Sequence, residues 1–120
     1  MKLRLRKPFN YDEYLAYIQS PRWMKKRARR LCFDQHKCCY CKGSVRLQVH
    51  HLHYDHLFNE TMWDLITLCF QCHEELHRDE ESRERIERRC MPDYMYRQIV
   101  ERRQYWEKMK AEGKPTRCSR

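Results

Sequence analysis

A chain of 120 residues has room for one domain with helical arms and little more. Only 41% of it is hydrophobic and 36% is charged, and no apolar run approaches the ~20 residues that a bilayer span requires. The net charge of +9 is unevenly placed: residues 1–48 carry 13 basic and 3 acidic groups, residues 49–77 five acids and no Lys or Arg, and residues 78–120 carry 13 and 9. An acidic, histidine-rich centre between basic flanks suits a metal site held against a polyanion. The start, Met1-Lys2-Leu3-Arg4-Leu5-Arg6-Lys7, lacks the apolar core of a secretory signal. The expectation is a cytoplasmic, monomeric protein that is neither exported nor in a membrane.

Tyr11, Tyr14, Leu15 and Ile18 recur at helical spacing and predict a first helix over about 11–19. Ser20-Pro21 reads as an N-cap followed by proline at the first helical position, opening a second helix from Arg22 to Leu31. After an irregular, cysteine-rich stretch, Val45, Leu47 and Val49 alternate with polar residues, the period of a strand with one buried face. Leu65-Ile66-Thr67-Leu68 is a short apolar stretch leading into Cys69, and helical signals dominate from Phe70 onward. The charged run Arg78–Arg89 carries Glu81–Arg85 and Glu84–Arg88 at i,i+4, pairs that support an exposed helix by ~0.2–0.5 kcal/mol each. Pro92 breaks that run. Asp93 is placed to cap a last helix, in which Met95, Ile99, Trp106 and Met109 fall at helical spacing. The division expected is one domain: a basic helical leader (1–32), a metal-binding core (33–78) and charged C-terminal helices (79–120).

Cys38-x-x-Cys41 and Cys69-x-x-Cys72 are the strongest signal. Each knuckle lets two thiolates reach one cation from a tight turn, and two knuckles complete a closed, structural four-thiolate zinc site. Cys39 lacks the C-x-x-C spacing and reads as a bystander, while Cys32, Cys90 and Cys118 read as inert thiols in a reducing compartment. Between and just beyond the knuckles lie His50, His51, His53, His56, His73 and His77, with Asp55 and Asp64. On a strand, His50 and His51 point to opposite faces unless a bulge intervenes. On a helix, His73 and His77 share a face. One strand histidine with that pair gives three nitrogen ligands and an open position, the mark of a catalytic site. The other strand histidine is left to act as a base.

The run Val49-His50-His51-Leu52-x-Tyr54, then Asn59-Glu60, then Asp64-Leu65-Ile66-x-Leu68-Cys69-x-x-Cys72-His73-x-x-x-His77 resembles the HNH nuclease family. It looks most like small bacterial and phage members that embed the motif between two C-x-x-C knuckles. The likeness covers about residues 11–78. It implies an α+β chain with a ββα-metal core, similar to a treble clef, and metal-dependent cleavage of phosphodiester bonds in DNA. By position, His51 matches the general base, His50 and His73 match metal ligands, and His77 resembles an extra ligand that some members add. The cation implied is Mg, Mn, Ni or Zn. The motif's central asparagine falls at Asp64, where a carboxylate adds negative charge and loses the amide donors. Such a group can hold a cation or orient His51 through its ring N–H.

Arg22, Lys25, Lys26, Arg27, Arg29 and Arg30 crowd one short helix and are expected to neutralise DNA phosphates without reading sequence. The alternative is a zinc-containing DNA-binding module without turnover, or an assembly subunit whose C-terminal helix presents Trp106 and Met109 to a protein partner.

Overall fold

The computed structural model describes residues 10–113; the basic start of the chain and Cys118 lie outside them. The architecture is mixed α+β, with five helices and one two-stranded antiparallel sheet among the described residues. The order is α1 (Tyr11–Ile18), α2 (Pro21–Phe33), β1 (Leu47–His51), β2 (Leu65–Cys69), α3 (Phe70–Leu76), α4 (Glu80–Cys90) and α5 (Asp93–Ala111). A 3-10 turn, Met62–Asp64, leads into β2. No helix among the described residues is long and apolar enough to cross a membrane.

Local chemistry sets most boundaries. The Asn10 side chain accepts from the backbone N–H groups of Asp12 and Glu13 and starts α1. Ser20 accepts from Trp23 N–H, with Pro21 behind it, and starts α2. That helix runs two residues beyond Leu31, until Gln35 and His36 adopt positive φ. Two expectations need correction. The strand does not include Val45, which is 71% exposed, because Arg46 takes φ +52° and interrupts extended backbone; β1 begins at Leu47 and takes in both histidines. Asp93 is the first residue of α5 rather than its cap. Pro92 holds the cap position with extended backbone and offers no side-chain acceptor.

The sheet divides the interior in two. The register pairs His50 with Ile66 and His51 with Leu65, without a bulge. His51 and Leu65 therefore share one face, where Tyr17, Trp23 and Leu57 pack. Ile66, Leu68 and Leu52 belong to the other core, closed by Leu76, Ile86 and Ile99 from α3, α4 and α5. Burial of these apolar side chains, at roughly 1.5–3 kcal/mol each, holds the two helical layers to the hairpin.

Two of the four cysteines that the sequence leaves without roles, Cys39 read as a bystander and Cys90 read as an inert thiol, are bonded to each other. Cys39 and Cys90 form a disulfide, with Cα atoms 5.3 Å apart and a separation of 51 positions in sequence. Only the return of α4 across the first knuckle makes that pair, so no local spacing announces it. Cys39 N–H also donates to Thr67 O at 2.9 Å, which seats the knuckle on the free edge of β2.

Candidate metal centres on the hairpin

The four knuckle sulfurs, from Cys38, Cys41, Cys69 and Cys72, lie within 4.8 Å of one another. Cys41 Sγ and Cys69 Sγ are 3.7 Å apart, close to the ~3.8 Å edge of a tetrahedron with Zn–S bonds of ~2.3 Å. Backbone N–H groups point at the sulfurs: Cys41 N to Cys38 Sγ (3.5 Å), Gly43 N to Cys41 Sγ (3.4 Å) and Cys72 N to Cys69 Sγ (3.4 Å). A Cβ at Gly43 would sit 3.3 Å from Cys41 Sγ, so glycine lets the loop close around the thiolate. Burial opposes ionisation of Cys38, but the N–H groups of Cys41, Cys69 and Tyr40 outweigh it and bring the thiol down to about 7. The set fits a metal such as zinc, tied to the hairpin because Cys69 both ends β2 and caps α3.

On the α3 side of the sheet, His50, His73 and His77 form a second group whose ring nitrogens lie within 4.8 Å. His73 Nε2 is 3.3 Å from His50 Nδ1 and 3.1 Å from His77 Nε2. These separations approach the ~3.3 Å edge expected for M–N bonds of ~2.0–2.1 Å. The outer nitrogen of His50, Nε2, lies 3.6 Å from the buried Glu87 carboxylate, just beyond hydrogen-bond range. That carboxylate favours the Nε2–H tautomer and turns the Nδ1 lone pair toward the other two rings. Glu87 is itself held by Arg103 through two bonds, 2.7 and 2.8 Å, and is brought down to about 2 by His50 and Arg103 despite its burial. Burial, with the neighbouring His50 and His77, lowers His73 to about 3, leaving a neutral ring of the kind a cation needs.

On the opposite face, His51 is 4% exposed and lies between two aromatic rings, Trp23 at 4.9 Å and Tyr54 at 5.1 Å, both nearly parallel to it. Its Nε2 is 2.7 Å from Glu60 Oε2. The other oxygen of Glu60 accepts from Tyr17 Oη (2.5 Å) and Lys26 Nζ (2.9 Å). Although burial opposes it, this set of donors brings Glu60 down to about 2. An ionised carboxylate on Nε2 leaves Nδ1 of His51 as the nitrogen able to take a proton.

No protein-family model matches the chain, and no curated protein or solved structure matches it. Its chemistry rests on the geometry.

Asp64 requires correction. Rather than reaching His51 or the three-imidazole group, its carboxylate binds His53 Nε2 (2.9 Å) and His56 Nδ1 (3.0 Å) and accepts from Thr61 N–H (2.8 Å). Burial works against ionisation, but the bond from His53, then Thr61 N–H and His56, hold the carboxyl well below its usual range. These three side chains are close enough to share an ion. However, Asp55 N–H points at His53 Nδ1 (3.2 Å), which places the ring proton on Nε2, facing Asp64. That nitrogen then donates a hydrogen bond and has no lone pair for a metal. The trio fastens the excursion between the strands. Glu60 takes the place beside His51 that Asp64 was expected to fill.

The basic helix also differs from expectation. Arg30 is 5% exposed and bonds Asp34 (2.8 and 3.1 Å) and Met62 O (2.7 Å), so it is not a surface phosphate contact. Lys26 serves Glu60, Arg27 reaches Leu47 O (3.4 Å), and Arg22 bonds Phe58 O and Asn59 Oδ1. These four cations fasten α2 to the hairpin and its loop. Lys25 and Arg29 are exposed.

Glu87 and Glu60 are the residues that sequence reasoning missed. Glu87 sits in a charged run that reads as solvent-facing. Glu60 stands in a quoted motif, and an acid nine residues beyond a histidine carries no signal by itself.

Proposed function

We propose that the chain is a metal-dependent DNA endonuclease of the HNH type, with β1, β2 and α3 as its ββα-metal core. The observation that carries the reading is the pair of adjacent histidines on β1: one turned into a three-imidazole group, the other held by a buried carboxylate with one ring nitrogen left to take a proton. His50, His73 and His77 would hold the cation. A divalent cation there would polarise the scissile phosphate and offset charge on the leaving oxygen. His51 takes a proton through Nδ1 from the water that attacks phosphorus, and Glu60 stabilises the imidazolium that forms. The P–O bond opposite the attacking oxygen breaks, giving a phosphomonoester and an alcohol. The four-cysteine site would hold zinc as a structural clamp, and Lys25 and Arg29 are the α2 cations best placed to meet DNA phosphates. Asp64 acts as a positioning residue, through the loop that it fastens.

Plasmid nicking with Mg, Mn, Ni or Zn tests this reading. His51→Ala should lower cleavage by roughly a hundredfold or more while zinc content stays that of the parent. Cleavage at the parental rate would remove His51 from the mechanism. A second reading, a DNA-binding zinc module without turnover, is favoured by the burial of His51 between two rings. It expects duplex binding in gel shifts with no cation-dependent cutting by the parent protein.

A further inference from the structure

A cavity of about 630 Å³ opens between α2, the first knuckle and the α4–α5 junction. Its lining includes three exposed aromatic rings, Phe33 (51%), Trp63 (53%) and Tyr94 (64%). Arg30 lies over one face of Phe33, and Phe33 and Trp63 meet edge to face at 5.6 Å, yet all three rings stay half in water on one concave surface and so leave apolar area unburied. The same cavity is lined by Lys37, Lys42 and Arg89. Its acid, Asp34, is already matched by Arg30, so the charge left over is positive. Leu65 and Ile66, the ladder partners of His51 and His50, also line it, which makes it continuous with the hairpin that carries the proposed chemistry.

We infer that this groove binds an unpaired stretch of DNA, with bases stacking on Trp63, Tyr94 and Phe33 and phosphates paired with Lys37, Lys42 and Arg89. The choice of DNA rests on the function proposed above; the choice of single strand rests on the groove. Rings alternating with cations are what a flexible polyanion with free base faces can use. A duplex presents its bases already stacked on each other, and a cavity of this size accepts a nucleotide or two rather than a double helix. A basic partner is disfavoured by charge, and an apolar peptide would leave three cations unmatched.

The test uses full-length zinc-loaded His51→Ala protein without added divalent cation, so that binding is read without cleavage. A fluorescein-labelled oligo-dT is titrated by anisotropy, with an unlabelled duplex and oligo-rU as competitors. The proposal expects oligo-dT to bind in preference to both competitors. Trp63→Ala should weaken it about tenfold, through loss of one base–aromatic stack. Lys37→Glu with Arg89→Glu should weaken it further and flatten its salt dependence. Trp63 and Tyr94 are exposed, so loss of the fold is not expected on truncation, and zinc content monitors it. Parental affinity in both Trp63→Ala and Tyr94→Ala overturns the proposal, as does equal or stronger competition by either the duplex or oligo-rU. Failure of the parent protein to nick plasmid would count against the nuclease reading and leave these outcomes readable.

Discussion

His50 and His51 are neighbours on one strand, yet the two faces of the hairpin give them different chemistry. His50 meets two more imidazoles, and its nearest carboxylate, Glu87, stands 3.6 Å away with both oxygens occupied by Arg103. His51 meets no second imidazole within hydrogen-bond range among the described contacts; it has aromatic rings above and below and Glu60 at 2.7 Å. A ring that shares its lone-pair side with other lone pairs suits a cation, whereas one fixed by a single ionised acceptor suits a proton. One residue of register separates the two environments. A slip of β1 by one position would exchange them.

The largest expected effect removes the frame on which both faces depend. Cys41→Ser with Cys69→Ser, or stripping with a strong chelator, should unfold the hairpin, since structural zinc contributes roughly 10–16 kcal/mol of apparent binding energy in small domains. Loss of amide dispersion and of the cooperative thermal transition are the readouts. A folded, zinc-free protein would detach the knuckles from the rest of the scheme.

Next in size is the comparison itself. His51→Ala should lower the cleavage rate by roughly 10²–10⁴-fold, the usual contribution of a positioned proton acceptor, and leave the number of bound cations unchanged. His77→Ala should instead lose one equivalent of weakly held divalent cation by elemental analysis, while the zinc equivalent stays. If both variants lose metal, or neither does, the division of labour between the faces is wrong.

How far the sequence foretold this arrangement depended on the range of the signal. The knuckles, the His73/His77 spacing, the Ser20-Pro21 start and the alternation into β1 are local patterns, and each lies where such patterns place it, apart from the left-handed turn at Arg46 that shifts β1 by two residues. The partners of the candidate site side chains are not local. Glu60 reaches back to Tyr17 and Lys26, Glu87 is matched by Arg103 from the next helix, and Cys39 finds Cys90. Charged residues in a helix read as solvated, because their patterning cannot show that one of them, Glu87, is fully buried against His50 of β1 and Arg103 of α5. The basic character of α2 misled for a related reason: charge counting along a helix cannot show that Glu60, Asp34 and the carbonyls of Leu47, Phe58 and Met62 take up four of its six cations inside the molecule.

Acid titration sharpens the two-face comparison further. Glu87 and Glu60 are each brought down to about 2 in the folded protein from an ordinary 4.5. A depressed carboxyl contributes stability that is fully present above its unfolded value and is lost as pH falls through its folded one. Both faces should therefore loosen between about pH 4.5 and 2, each carboxyl contributing on the order of 3 kcal/mol at neutral pH. The glutamine variants should separate them. Glu87→Gln leaves Arg103 and His50 facing a neutral amide in a fully buried site, so a stability loss of roughly 3 kcal/mol and a shallower acid transition are expected in urea titrations at pH 7 and pH 4.

Glu60→Gln should cost less, about 1–2 kcal/mol, because its amide oxygen can still accept from Tyr17 and Lys26 while His51 adjusts. The adjustment is the informative part. With an amide N–H₂ facing Nε2, His51 does best by moving its proton to Nδ1, which removes the lone pair that the mechanism requires. The variant should thus remain folded near neutral pH, keep its metal content, and lose turnover out of proportion to its small stability change. ¹⁵N chemical shifts of the His51 ring report which nitrogen carries the proton. A Glu60→Gln protein that cleaves at the parental rate with the tautomer unchanged would show that this carboxylate supports the fold alone, and that the face carrying His51 is a packing surface.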